Sequence, residues 1–154
     1  MCNPEIPKIF HDSRHDSLAL HEFINSCVVN IFDTSACETL IGQLDLYQES
    51  ENPMKAKEIQ AKVSNAKTPG LNEILAKYKA PHGINENKDL FHNMWKKGKV
   101  SLFNQRPIDP QYREYCIKDV LDLPYLMKMM SQRINICFAR WISSQYIRFG
   151  YLST

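Results

Sequence analysis

Two periods alternate along the first third of the chain. Lys8-Ile9-Phe10 is a short apolar run that stops at the polar cluster His11-Asp12-Ser13-Arg14-His15-Asp16, the pattern of a buried strand closed by turn chemistry. From Asp16 the apolar positions take helical spacing (Leu18, Leu20, Phe23, Ile24), with Asp16 or Ser17 placed to cap the first turn. Cys27 to Phe32 is apolar and β-branched and halts at Asp33-Thr34, which predicts a second strand. Ala36, Leu40, Ile41 and Leu44 then mark a second helix. Strand, helix, strand, helix predicts two neighbouring parallel strands.

The remainder is helical and more polar. Residues 48–68 are Lys-rich and broken by Pro53, an exposed excursion with a helical turn around 54–63. A short helix is predicted from Gly70 to Tyr78, a break at Pro81-His82-Gly83, and a helix over 86–97 stopped by Gly98. Asp109 is placed as N-cap and Pro110 as first residue of a helix that carries Tyr115, Ile117, Val120 and Leu123, and Pro124 kinks or divides it. Over 125–148, Leu126, Met130, Ile134, Phe138, Trp141 and Ile142 predict one last helix. Met127, Met129 and Met130 with its aromatics read as core, although some of that surface is left exposed if neighbouring strands are absent.

At 154 residues, 44% apolar and 23% charged, the chain has the make-up of one globular domain that folds without disulfides or a structural metal. Its five cysteines are an odd number with no C-x-x-C pair, and the start, MCNPEIPK, has no apolar stretch. These features predict an intracellular, cytoplasmic or nuclear setting and buried spectator thiols. No apolar run reaches the roughly 18 residues a membrane span needs. The net charge of +2 hides a split: residues 1–50 carry two basic and eight acidic groups, −6, and residues 51–154 carry +8. An acidic end on a basic body suits a metal site beside a polyanion-binding surface.

Two segments concentrate candidate chemistry. In the first, Asp16 lies where a strand turns into a helix, at the mouth of an α/β sheet. In the second, Tyr115 and Asp119 are four apart and share one helix face. Two carboxylates and a phenol so placed suit a hard divalent ion and a positioned water. Lys96, Lys97, Lys99, Arg106 and Arg113 are candidate phosphate contacts, and Tyr112 or Phe103 a candidate base-stacking ring. His11, His15 and His21 invite a zinc reading, but no third ligand is obvious, and His11 reads better as a hydrogen-bonded residue at a strand end.

These residues resemble the ribonuclease D-like 3′–5′ exonuclease domain, the DEDDy group of the ribonuclease H-like fold, in its Egalitarian-type branch. The family pattern K-[IV]-x-H-D-x-R-x-D-S-x-x-L is matched by Lys8 to Leu20, N-[IVL]-F-D-T by Asn30 to Thr34, and Y-x-x-x-D-V-x-x-L by Tyr115, Asp119, Val120 and Leu123. Arg106-Pro107 falls where the family places Arg-Pro. The resemblance covers 5–130 as an N-terminally truncated exonuclease-like domain, with 131–154 as a C-terminal helix and tail packed on it. It implies an α/β, ribonuclease H-like fold that is helix-rich and lacks its N-terminal strands. It also implies a two-metal (Mg²⁺ or Mn²⁺) mechanism with Asp16 and Asp119 as ligands and Tyr115 positioning water. Asp12, Arg14 and Asp33 belong to the pattern; Asp33 is expected to cap the next helix, and Arg14 joins the candidate nucleic-acid contacts. The implied partner is nucleic acid, RNA ahead of DNA, with protein partners in an RNA-handling complex.

One departure qualifies the enzyme reading. The family's first motif, Asp-x-Glu, lies upstream of the second, yet only ten residues precede His11 and the tripeptide occurs nowhere in the chain. Asp16 and Asp119 supply −2 against the +4 of two Mg²⁺ ions. The resemblance therefore implies a fragment of a longer metal-dependent exonuclease, or a truncated, catalytically silent module that binds nucleic acid or serves as a scaffold.

Overall fold

A computed structural model describes residues 3–25, 28–48, 68–98 and 105–152. Strand β1 (Lys8–Phe10) and strand β2 (Ile31–Asp33) pair in parallel, with Lys8 opposite Ile31 and Phe10 opposite Asp33. Helix α1 (Ser13–Ile24) makes the crossover and α2 (Thr34–Gln48) leaves β2 directly. The predicted βαβα unit is thus present. The second strand is shorter than Cys27–Phe32: residues 28–30 are irregular, and Cys27 lies outside the described residues.

Helix α1 starts three residues earlier than the apolar spacing predicts, so Asp16 sits inside its first turn and does not cap it. Asp12 occupies the cap position in a left-handed conformation (φ 58°, ψ 62°), and its own side chain caps nothing. The cap comes from β2. Asp33 Oδ2 accepts from the Ser13 amide (2.7 Å) and hydroxyl (2.6 Å), and its Oδ1 from the Asp12 amide (3.2 Å). The same Oδ1 accepts from the amides of Ser35 (2.9 Å) and Ala36 (3.2 Å), the expected cap of α2. One carboxylate, 0% exposed, therefore closes the N-termini of both helices.

Helix α1 buries its small residues Ser13 and Ser17 and leaves Phe23 83% exposed, so the apolar stripe read from the sequence is not wholly its packing face. It packs against the last helix, which also crosses β2 and α2. Ser143 of that helix accepts from the Asp33 amide at 2.9 Å. The 125–148 segment is two helices, not one: α6 (Leu123–Met130) and α7 (Ile136–Leu152). The break is made by Asn135, whose Oδ1 accepts from the amides of Cys137 (2.8 Å) and Phe138 (3.4 Å) and restarts the helix.

Between these lie α3 (Leu71–Lys77), α4 (Lys88–Lys96) and α5 (Pro110–Leu121). Asp109 caps α5 through Gln111 and Tyr112, as predicted, and Pro124 falls in the first turn of α6 and so divides the two helices. Buried Glu38 of α2 accepts from the Tyr78 hydroxyl (2.7 Å) and the Lys77 ammonium, fastening α3 to α2. The core gathers Phe32, Ile41, Ile74, Leu75, Leu126 and Met130. Phe138 and Trp141, predicted as core, are both about half exposed, stacked at 5.6 Å. Of the described cysteines only Cys37 is buried; Cys116 and Cys137 are exposed. The excursion at 49–67 lies outside the described residues. No helix among the described residues is long and apolar enough to cross a membrane.

Candidate functional site

The carboxyl end of β1 opens into a cleft of about 280 Å³. His11 from the end of β1, Asp16 from the first turn of α1, Lys88 from the first turn of α4 and Asp119 from α5 all line it. A cleft outside the carboxyl ends of parallel strands is where an open α/β sheet ordinarily receives its ligand. Asp16 and Asp119, more than a hundred residues apart in sequence, face one space.

Asp119 is held in place. Its Oδ1 accepts from Asn85 Nδ2 at 2.9 Å and lies 3.5 Å from Lys88 Nζ. Asn85 is 1% exposed. Its amide also donates to the Tyr115 carbonyl at 3.0 Å, and its backbone exchanges hydrogen bonds with the Asn72 side chain at 2.9 and 3.0 Å. Tyr115 lies one turn before Asp119. Burial pushes the phenol pKa above its ordinary 10, helped by the Asp119 carboxylate as charge and as acceptor. The phenol therefore stays protonated at neutral pH, with its proton directed to Asp119. Phe91 braces it, with ring centroids 5.0 Å from Tyr115 and 5.3 Å from Tyr112.

Asp16 is raised above its ordinary 3.8, first by partial burial, then by the negative charges of Asp12 and Asp33. Asp12 is held down, chiefly by its hydrogen bonds with Arg14, at 2.6 and 2.9 Å. Arg14 is therefore already engaged by a carboxylate. Asp33 spends five hydrogen bonds on capping, which leaves it no role as a ligand.

His11 is a strand-end residue, as predicted. Its Nδ1 lies 3.0 Å from Thr34 Oγ1, whose single proton goes to the Phe10 carbonyl at 3.0 Å. Nδ1 must then be the donor, and Nε2 of the neutral ring keeps its lone pair. Burial lowers the His11 pKa below its ordinary 6.5. Between the two values the unfolded chain binds more protons than the folded one, so stability rises with pH up to about 6.5 and falls on acidification. Thermal melts at pH 7.5 and 5.5 are expected to show a drop at the lower pH, and His11→Gln is expected to shrink that drop. An unchanged difference in the variant would remove His11 from the account.

The basic candidates among the described residues lie outside the cleft lining. Lys96 and Lys97 are exposed at the end of α4, Arg113 is exposed on α5, and Arg106 donates to the neighbouring Gln105 carbonyl at 2.9 Å. Lys99 and Phe103 lie outside the described residues. Tyr112 is half-buried and packs in the ring cluster with Phe91 and Tyr115. The buried Cys37 thiol is pushed up to about 12, so it stays protonated. Two residues that shape the cleft, Asn85 and Lys88, are absent from the sequence reading. Lys88 did carry a signal: a basic residue in the first turn of a helix opposes the macrodipole and implies a partner elsewhere. Asn85 sits in a loop with no periodic signal at all.

The donor set is a partial match to a metal centre. Among the described residues, no group of three His, Cys, Asp or Glu side chains is arranged to hold a metal ion. Two carboxylates on one cleft do suit a single Mg²⁺, an ion commonly bound by one or two carboxylates plus substrate phosphates. They do not suffice for two ions.

Residues 1–135 match the family model described as 3′–5′ exonuclease. No curated protein and no solved structure matches the chain.

Proposed function

The chain belongs to the 3′–5′ exonuclease family, and from that premise we propose that the cleft at the end of β1 receives the 3′ end of a nucleic-acid strand for phosphodiester hydrolysis. The observation that carries this reading is the convergence of Asp16 and Asp119 on one space, with Tyr115 a turn away on α5. Asp16 and Asp119 would hold a divalent ion, Mg²⁺ or Mn²⁺. When bound, that ion supplies Lewis-acid stabilisation of the phosphoryl oxygens. The chain's own residues orient: Asn85 fixes the Asp119 rotamer, and the Tyr115 phenol, its proton directed to Asp119, would offer its oxygen to accept from a water. The motif resemblance supports a finer reading: a ribonuclease D-like, DEDDy-type domain of the Egalitarian-type branch, with RNA ahead of DNA as substrate and an RNA-handling complex as setting.

Two carboxylates neutralise one divalent ion but fall two charges short for a two-ion centre, a shortfall that substrate phosphate would have to supply. Metal and strand are therefore expected to bind together, and turnover by this chain is expected to be slow. A second reading follows from the same shortfall: a module that holds a 3′ end without cutting it. A 3′-labelled single strand incubated with Mg²⁺ or Mn²⁺ separates the two. Hydrolysis by the wild type that falls roughly 100-fold in Asp119→Asn, and substantially in Tyr115→Phe, supports the enzyme. No hydrolysis, with binding that weakens steeply as salt rises, supports the module. Equal degradation by wild type and Asp119→Asn would place the activity elsewhere.

A further inference from the structure

Lys88 is a charged side chain of the cleft with no part in the hydrolysis proposed. It occupies the first helical position of α4, where the helix dipole disfavours a cation, and its ammonium lies 3.5 Å from Asp119 Oδ1. Both side chains are only part-exposed, at 32% and 25%, and both line the space that Asp16 and His11 share. A cation approaching Asp119 through the cleft meets one already there.

We propose that Lys88 is a built-in competitor for the divalent ion, which makes metal binding conditional on the arrival of a phosphodiester. The inference rests on the 3′-end reading of the same cleft. Charge balance in the cleft supports it. Asp16 and Asp119 contribute −2, Lys88 contributes +1, and the His11 ring is neutral. A divalent ion added to this set leaves +1, an excess that the low-dielectric walls of a cleft penalise. One phosphodiester supplies −1 and brings the assembly to neutrality. The Lys88 ammonium then has a new partner in the phosphate oxygens and releases Asp119 to the metal. Without Lys88 the two carboxylates and the ion are already neutral, and no strand is needed. Lys88 is thus a positioning residue that couples cofactor to substrate, and a carboxylate pair too weak for a free-standing metal site becomes sufficient only with a 3′ end in place.

The test is Mn²⁺ binding, read from the electron paramagnetic resonance signal of free Mn²⁺, with and without a hydrolysis-resistant phosphorothioate single strand. Without the strand, Lys88→Gln is expected to bind Mn²⁺ about tenfold more tightly than wild type. That is the size of the repulsion between a unit and a divalent charge roughly 6 Å apart in water. Lys88→Arg, which keeps the charge, is expected to match wild type and controls for side-chain loss. Lys88→Gln combined with Asp119→Asn should lose the gain. Adding the strand should tighten Mn²⁺ binding to wild type about tenfold and to Lys88→Gln much less. Equal Mn²⁺ affinities of wild type and Lys88→Gln without the strand would overturn the proposal, as would an equal gain in Lys88→Arg. Neither result touches the 3′-end reading, which fails on the Asp119→Asn hydrolysis and binding assays alone.

Discussion

Replacing Asp33 with alanine is expected to destabilise the chain by about 4 kcal/mol and to lower the melting midpoint by roughly 10 °C or more. The carboxylate is fully buried and accepts five hydrogen bonds, four from backbone amides at the starts of two helices and one from the Ser13 hydroxyl. An ordinary N-cap contributes about 1 kcal/mol. Here two caps share one side chain, and its loss leaves buried donors without partners, each costing about 1–3 kcal/mol. Asp33→Asn keeps one oxygen but turns an amide towards the Ser13 donors, so about half the loss is expected. Urea or thermal unfolding monitored by circular dichroism measures both. A loss under about 1 kcal/mol in the alanine variant would mean that water replaces the carboxylate and that the cap is not structural.

Asn85→Asp is expected to be nearly as damaging, and its damage is aimed at the site. The substitution preserves shape and replaces a donor with a carboxylate. Asn85 Nδ2 now serves two acceptors, the Tyr115 carbonyl at 3.0 Å and Asp119 Oδ1 at 2.9 Å. The introduced carboxylate, once ionised, would face both with like polarity in a position 1% exposed. A cost on the order of 3 kcal/mol at neutral pH follows, shrinking as the pH falls and the new carboxyl takes a proton that restores a donor. Asn85→Ala removes the donor without adding charge and should cost about 2 kcal/mol with no such pH dependence. Melts of the two variants across pH 5 to 8 make the comparison, and strand binding should fail first in Asn85→Asp. Parallel pH profiles for both would show that Asn85 acts by packing alone.

Local signals account for most of what the sequence reveals. The strand pair, the Asp109-Pro110 start of α5 and the division at Pro124 all follow from neighbours in the chain. So does the pairing of Tyr115 and Asp119 on one face, since spacing of four is enough. What escaped reading was tertiary. The start of α1 is set by a carboxylate twenty residues downstream, which no scan around Asp16 can see. The break before α7 needed Asn135 to be read as a cap inside a helical apolar spacing (Met130, Ile134, Phe138) that continues through it. Trp141 and Phe138 have core-like spacing, and the described residues leave them about half uncovered. Asn85 matters because of where the chain folds around it, a property that spacing does not carry.

The shared cap also bears on how the chain assembles in time. Isolated helices of about a dozen residues are marginal in water, and α1 begins without a side-chain cap of its own. A three-residue parallel pairing is equally unable to persist alone. Helix α1 therefore cannot seed folding, and neither can the strands. The loop between Asp12 and Asp33 must close before either element is worth its loss of entropy, so β1, α1, β2 and the first turn of α2 form as one cooperative event. The acidic end of the molecule is expected to behave kinetically as a single unit, with Asp16 reaching its place in the cleft when that unit locks.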